Sequence, residues 1–410
     1  MSNRPFRFVH AADLHLEEVP RGVAHVPTHL TDLFLQSPYR AAERVFDAAC
    51  SEHADFLVIS GDLLDAARTG PRGPLFLVEQ CEKLAARGIP VYWAGGLVDP
   101  PEAWPPSVRL PDNVVFFPVG RPEEVIFNRQ SEPVVRLLGA SRTQGRRLRP
   151  NEYAAEPGGL FTIAVTHGGA DPESLKRREI GYWALGGRHQ RQTLFSGPEA
   201  AHYPGTLQGR SPSDTGQFGC TLVEVDPRRT IRLTPITTHV FRWHAEQVDV
   251  GQSDTRKDLE TILRQRIELL GQAHPAVDSM ISWTVSGSGR LLTAIRRGGL
   301  ADELVEMLRK EYGFGQPALW SLTLEAEAAI CVPPPWFEQE TVRGDFLRMI
   351  RDWREKPRAE IDLTEYLPEC YLAGWLSAAA TVSDEQELKR ILAEAAMLGV
   401  DLLTPEGPES

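Results

Sequence analysis

The sequence predicts a layered α/β protein followed by a smaller α+β module and a helical C-terminal region, and three observations carry that reading. Short β-rich runs alternate with helical patterns through the first 240 residues. Beyond them the texture changes twice, first to a small mixed module and then to helices. Aspartate or histidine also closes several of the early strand candidates, at the edge where α/β sheets place their ligands.

In chain order the strand candidates are "FRFVHA" (6–11), "FLVIS" (56–60), "VYWAG" (91–95), "NVVFFPV" (113–119), "VVRLLGA" (134–140), "FTIAVTH" (161–167) and "YWALGG" (182–187). Between the first and third lie "PYRAAERVFDAACSEH" and "GPLFLVEQCEKLAARG". There Val45, Ala48 and Ala49, and then Leu77, Cys81 and Leu84, recur at helical spacing, and Gly88 supplies a C-terminal stop. From 200 to 240, "YPGTLQG", "FGCTLVEV" and "TIRLTPITTHV" read as strands without helices, suited to an antiparallel edge or second sheet.

Residues 241–330 read as a helix (256–270), a strand "MISWTVSG", a helix (302–312) and a strand "LWSLTLEA". "VPPPW" (332–336) reads as a stiff linker, because successive prolines oppose helix and ladder alike. In the C-terminal part, Val342, Phe346, Met349, Ile350 and Trp353 form one stripe. "SDEQ" (383–386) is a capping box opening a helix with Leu388, Ile391, Leu392, Ala395 and Leu398 on one side. Such stripes serve internal packing or docking onto a partner helix. The expected domains are 1–240, 241–331 and 337–410.

The 410 residues hold no 18-residue apolar run, and the first stretch lacks a signal-peptide apolar region, so a soluble cytoplasmic protein with no membrane association is expected. The five cysteines are scattered and form no CxxC pair, which indicates neither a disulfide framework nor a zinc knuckle. A net charge of −12 disfavours a binder that relies on whole-molecule attraction to nucleic acid. Basic clusters exist at "SRTQGRRLR" (141–149), "KRR" (176–178) and "GRHQR" (187–191). Singly each reads as a solvated face; together they offer a modest phosphate-tracking surface, with Arg188 and Arg191 as candidate DNA contacts.

The chemistry-bearing residues are Asp13 and His15 in "AADLHL", Asp62 in "ISGDLLD", His167 closing "FTIAVTH" and His189 after "WALGG". In extended backbone Asp13 and His15 point the same way. Any one of them has a structural explanation, but the ordered set of DxH, GDxxD, strand-end His and GxxH points to a metal. Carboxylate with imidazole and no thiolate suits Mn²⁺, Fe²⁺ or Zn²⁺.

That order resembles the calcineurin-like metallophosphoesterases. "RFVHAADLHL", "SPYRAAERVFDAA", "DFLVISGDLLD" and "YPGTLQGRSPSDTGQFG" look closest to the SbcD-type DNA-repair exonucleases and their YhaO-like relatives. The resemblance implies a four-layer sandwich of two β-sheets flanked by helices, an α+β capping domain, and C-terminal helices that dock an SbcC-like SMC-type ATPase. It further implies DNA as substrate, a homodimer, and two metals that clamp a phosphodiester. Asp13, His15, Asp62 and His189 would surround the first metal, with Asp62 bridging to a second that also uses His167. "GLVD" (96–99) stands where that family has GNHD, and "GGRH" (186–189) where it has GHxH. Leu97 thus replaces a ligand Asn, Val98 the histidine that protonates the leaving group, and Gly187 a second-metal histidine, leaving Asp99 as the orienter of a missing side chain. His10, His25, His29 and His202 lack motif spacing and read as structural or solvent-facing.

The expectation is one bound divalent metal, preferably manganese, a weak or absent second one, and slow or no cleavage by an SbcD-like subunit. A working one-metal phosphodiesterase and a metal-free assembly protein are the alternatives.

Overall fold

The computed structural model describes residues 4–24, 26–142, 148–154, 159–287, 290–296, 298–327 and 334–355, and scattered positions beyond 355. The chain divides into two compact units: Met1–His244 with His274–Met280 and Gln316–Ala318, and Ala245–Ala273 with Ile281–Gly315 and Leu319–Ser410.

The first unit holds strands β1 (Phe6–Ala11), β2 (Phe56–Ile59), β3 (Val91–Ala94), β4 (Val114–Phe117), β5 (Glu123–Arg129), β6 (Glu132–Ala140), β7 (Phe161–His167), β8 (Tyr182–Gly186), β9 (Gln192–Phe195), β10 (Ala200–Tyr203), β11 (Gly219–Val225) and β12 (Ile231–Thr237). Its helices are α1 (Thr28–Ser51), α2 (Ala66–Thr69), α3 (Arg72–Ala85) and α4 (Pro172–Lys176). The strands form two six-stranded sheets, ordered β12-β11-β1-β2-β3-β4 and β5-β6-β7-β8-β10-β9. The first is parallel from β1 through β4 and antiparallel at its β11–β12 end, the second is parallel at the centre and antiparallel at both edges, and helices lie on the flanks. This is the two-sheet sandwich that the resemblance implies.

Side-chain alternation explains the sandwich. Phe6 and Phe8 of β1 and Phe56 and Val58 of β2 enter the layer between the sheets, where they meet Phe161, Ile163 and Val165 of β7 and Tyr182 and Ala184 of β8. Phe8 and Phe56 stack at 5.0 Å. The same phase then brings His10, Ser60 and His167 to the carboxyl edge of this layer, so the apolar core turns polar where the strands end.

Several elements differ from the sequence reading for local reasons. Helix α1 starts ten residues before Pro38, because Ser37 Oγ donates to the Phe34 carbonyl that Pro38 cannot serve. Hairpin β5–β6 turns through Gln130 and Ser131, both left-handed, a backbone that normally advertises itself as Asn-Gly. β9 was likewise unexpected: it is a short edge strand with an irregular register against β10. "YPGTLQG" contributes only Tyr203 to a strand, since Pro204 and the left-handed Gly205 turn the chain away.

The second unit carries β13 (Phe241–Val250), which begins in the first unit, then α5 (Arg256–Ala273), β14 (Asp278–Gly287), α6 (Arg290–Arg296), α7 (Leu300–Tyr312) and β15 (Leu319–Ala326). The sheet β13-β14-β15 packs Ile281 and Trp283 against Leu259, Leu263, Leu304 and Leu308 of the helices. "VPPPW" is not wholly a linker: α8 (Pro334–Phe337) is a helical turn, which proline tolerates in its first positions. In α9 (Val342–Glu355) the buried face centres on Leu347, with Phe346 and Ile350 beside it, whereas Val342 and Met349 are 71% and 52% exposed. Not all of the region is helical, because β16 (Ile361–Asp362) pairs antiparallel with β17 (Thr381–Val382). The capping box Ser383–Gln386 and Leu398 lie outside the described residues, as do Cys331 and Cys370. Among the described residues Cys50, Cys81 and Cys220 are free thiols, and no helix is long and apolar enough to cross a membrane.

Phe56 touches four aromatic rings at the centre of the inter-sheet layer. Phe56→Ala is expected to cost about 3–5 kcal/mol, read as a lower urea midpoint at unchanged denaturant slope.

Candidate metal centre

Past β1 and β2 the chain makes two short loops that zip together: Asp13 N–H donates to the Gly61 carbonyl (2.9 Å), His15 N–H to that of Asp62 (3.1 Å) and Leu16 N–H to that of Leu63 (3.0 Å). Asp13, His15 and Asp62 all take left-handed backbone, with φ of 54°, 44° and 56°. This corrects the expectation of an extended Asp13–His15 pair. Three non-glycine residues held at positive φ carry strain that the surrounding hydrogen bonds must impose.

The turn directions gather three donor groups. Asp13, His15 and His189 bring ligand atoms within 4.8 Å of one another, and so do Asp13, Asp62 and His167, and His15, Glu17 and Glu18. Asp62 Oδ2 stands 3.2 Å from His167 Nε2 and 3.8 Å from His15 Nε2. All the sequence-derived ligand candidates therefore meet: Asp13 belongs to the first two groups, and Asp62 turns Oδ2 toward both His15 and His167 while its Oδ1 accepts from the Leu97 (2.5 Å) and Val98 (3.0 Å) amides.

The fit to a divalent ion rests on His15. Its Nδ1 bonds Glu17 Oε1 at 3.0 Å, while Nε2 is buried and has no hydrogen-bond partner. A carboxylate on one imidazole nitrogen fixes the ring and leaves the other lone pair for a metal. Glu17 was not singled out from the sequence; the acid pair Glu17-Glu18 directly after the DxH motif was the available signal. Glu17 Oε2 also accepts the Asp65 amide, and Glu18 pairs with Arg210.

The "GLVD" loop has a definite architecture. Asp99 is buried and accepts from Asp62 N (2.8 Å), Leu63 N (3.1 Å), Gly96 N (2.6 Å) and Trp93 Nε1 (3.0 Å). It organises backbone here, and orients no imidazole. Gly96 is required, since a Cβ there would collide with the Asp62 carboxylate. Leu97, Val98 and Gly187 offer no side-chain ligand. Gly187 instead donates its amide to both Asp13 oxygens, at 3.1 and 2.9 Å.

The electrostatics follow from packing acids and imidazoles together. Burial raises Asp62, but the His167 hydrogen bond and charge, the Val98 amide and His15 outweigh it and hold the carboxyl far below the usual range. Burial lowers His167, yet Asp62 and Asp13 carry it up to about 9. Burial raises Asp13, and burial with the Asp62 charge lifts Asp99 to about 7. Desolvation, then Arg210 and His15, keeps His189 in the neutral form that binds metals.

Of the other histidines, His10 is buried between Tyr182 Oη (2.9 Å) and Ser60 Oγ (3.0 Å), and His202 between Thr193 and Thr221 hydroxyls (both 2.9 Å). Both are structural. His29 is exposed and His25 lies outside the described residues. Arg188 is exposed and stacks over Tyr203, but Arg191 is half-buried and turns toward the Cys220 carbonyl, so the two do not form one outward basic pair.

Two six-stranded sheets with Asp and His gathered at their carboxyl edge define a metallophosphoesterase, and the chain belongs to that family. It is 31% identical over 336 residues, 78% of this chain and 81% of its relative, to the uncharacterized metallophosphoesterase YhaO of Bacillus subtilis (strain 168). No protein-family profile matches the chain.

Two outcomes are expected. Glu17→Gln should weaken divalent-metal affinity by about 10- to 100-fold, because His15 loses the carboxylate that fixes its ring; competition with a chelating dye measures it. In metal-free protein, raised His167 contributes stability that is complete below pH 6.5 and lost as pH rises through about 9. Raised Asp99 adds a loss through about 7, and lowered Asp62 contributes stability lost only on acidification below 3.8. The melting temperature of metal-free protein should therefore fall toward pH 9, and His167→Gln should remove the alkaline part of that fall.

Proposed function

We propose that the chain is an SbcD-like subunit of a DNA double-strand-break processing complex that holds one divalent metal and cleaves slowly or not at all. The observation that carries the reading is a complete Asp13–His15–His189 donor set standing beside a second group, Asp13–Asp62–His167, to which Leu97, Val98 and Gly187 add no side-chain ligand. His167 and Asp62 are turned on each other. A divalent ion bound by this chain would supply Lewis-acid polarisation of a phosphoryl oxygen. Asp13, His15 and His189 would hold it, and Glu17 would keep His15 in register. No imidazole stands at position 98 to protonate a leaving group, a contribution typically of about 10²- to 10⁴-fold.

Manganese is the proposed metal, with iron or zinc as alternatives suited to the same donors. DNA, an SbcC-like ATPase and a second copy of this chain are the proposed partners, on the strength of the sequence resemblance, with Arg188 as a DNA contact and the exposed Val342 and Met349 on α9 as the ATPase side. A cytoplasmic location goes with these partners. A second reading, a working one-metal phosphodiesterase, would use the same donor set, with the single ion polarising a phosphoryl oxygen.

Metal analysis after manganese loading should give about one ion per chain. Hydrolysis of single-stranded DNA and of a chromogenic phosphodiester in Mn²⁺ should not exceed that of Asp62→Ala. Turnover that vanishes with Asp62→Ala would establish the second reading, and two tight ions with rapid exonuclease activity would overturn both.

A further inference from the structure

We infer that Arg142 is an anion-binding residue of this centre, placed to hold a phosphoryl oxygen of the substrate beside His167; the inference rests on the phosphoester reading above. Arg142 is the second residue after β6, and its position is built. Its amide donates to the Gly95 carbonyl (2.9 Å), and the preceding Ser141 Oγ accepts the Gly95 amide (2.8 Å) while donating to the Phe117 carbonyl. Residues 141 and 142 are thereby fastened to the glycine loop that bears Leu97 and Val98.

From that anchor the guanidinium reaches the residue following His167. A Cβ on Gly168 would lie 3.0 Å from Arg142 Nη1, so the guanidinium stands directly over that residue. Arg142, Thr166 and His167 line one narrow cleft, with Arg149 at its side. Arg149 pairs with Glu152, at 3.5 Å. Arg142 is uncommitted: its Nε is buried without a hydrogen-bond partner, and its guanidinium forms no ion pair with a described carboxylate. A desolvated guanidinium nitrogen without an acceptor, on an arginine that forms no ion pair among the described residues, is open to an anion from outside the chain. The planar fork matches two oxygens of a tetrahedral phosphoryl group. It also brings fixed positive charge to the side of the centre where Leu97 and Val98 bring none.

The test is calorimetric titration of inorganic phosphate into the manganese-loaded full chain, as wild type, Arg142→Ala and Arg142→Lys, with metal content measured on the same samples. Wild type should bind phosphate saturably. Arg142→Ala should weaken it by roughly 10- to 100-fold at unchanged metal content, and Arg142→Lys should recover part of the loss by its charge. A non-hydrolysable phosphorothioate dinucleotide should compete with phosphate; phosphate binding without that competition would overturn the assignment to substrate. Equal affinity in Arg142→Ala, or no phosphate binding by a chain that retains its metal, overturns the inference and leaves the metal reading standing. A wild-type chain that retains no metal overturns the metal reading, and this inference with it.

Discussion

Three carboxylates, Asp13, Asp62 and Asp99, are buried at one edge of the sandwich, and the surrounding chain is organised by the need to satisfy them. Removing an ion from water costs several kcal/mol even after relaxation, so each oxygen must find donors. Asp99 and Asp62 solve this reciprocally. The Asp99 carboxylate takes the backbone amide of Asp62, and the Asp62 carboxylate takes the amides of Leu97 and Val98. Each loop caps the other. Asp13 closes the system by taking the Gly187 amide from the second sheet.

The bracket explains why strained backbone persists where it does. Left-handed Asp13, His15 and Asp62 are held by the amide zipper between residues 13–16 and 61–63, and the zipper is anchored below by the aromatic layer. Packing energy from Phe8, Phe56 and their neighbours thus supports a geometry that the local sequence would not adopt alone. The inter-sheet layer also carries polar continuity down from the edge: His167 Nδ1 bonds the Ser60 carbonyl, and Ser60 Oγ bonds both His10 and the Ala184 carbonyl.

Much of this was legible in the sequence because period-2 alternation in "FRFVHA" and "FTIAVTH" marks both the strands and the polar residue that ends each. What was not legible depended on partners distant in the chain. The Gln130-Ser131 turn carries no turn signature, and Pro38 stays helical only because a neighbouring serine replaces its missing donor. The α9 stripe was displaced because helical spacing alone cannot say which of two adjacent faces meets Ala396 and Val400. At the site, residue types and order identified the ligand candidates, whereas the turns that aim them, the support from Glu17 and the backbone role of Asp99 are tertiary facts.

Gly187 shows how tightly backbone and side chains are coupled at such a site. Its backbone sits at φ 94°, and a Cβ there would stand 2.9 Å from His167 Nε2, 3.3 Å from its neighbouring ring carbons. Any side chain at 187 therefore competes for space with the imidazole that now neutralises Asp62. Position 187 and His167 are thus spatially coupled: a side chain added at 187 has to be accommodated together with the ring that pairs with Asp62, and on a backbone that glycine alone adopts without strain.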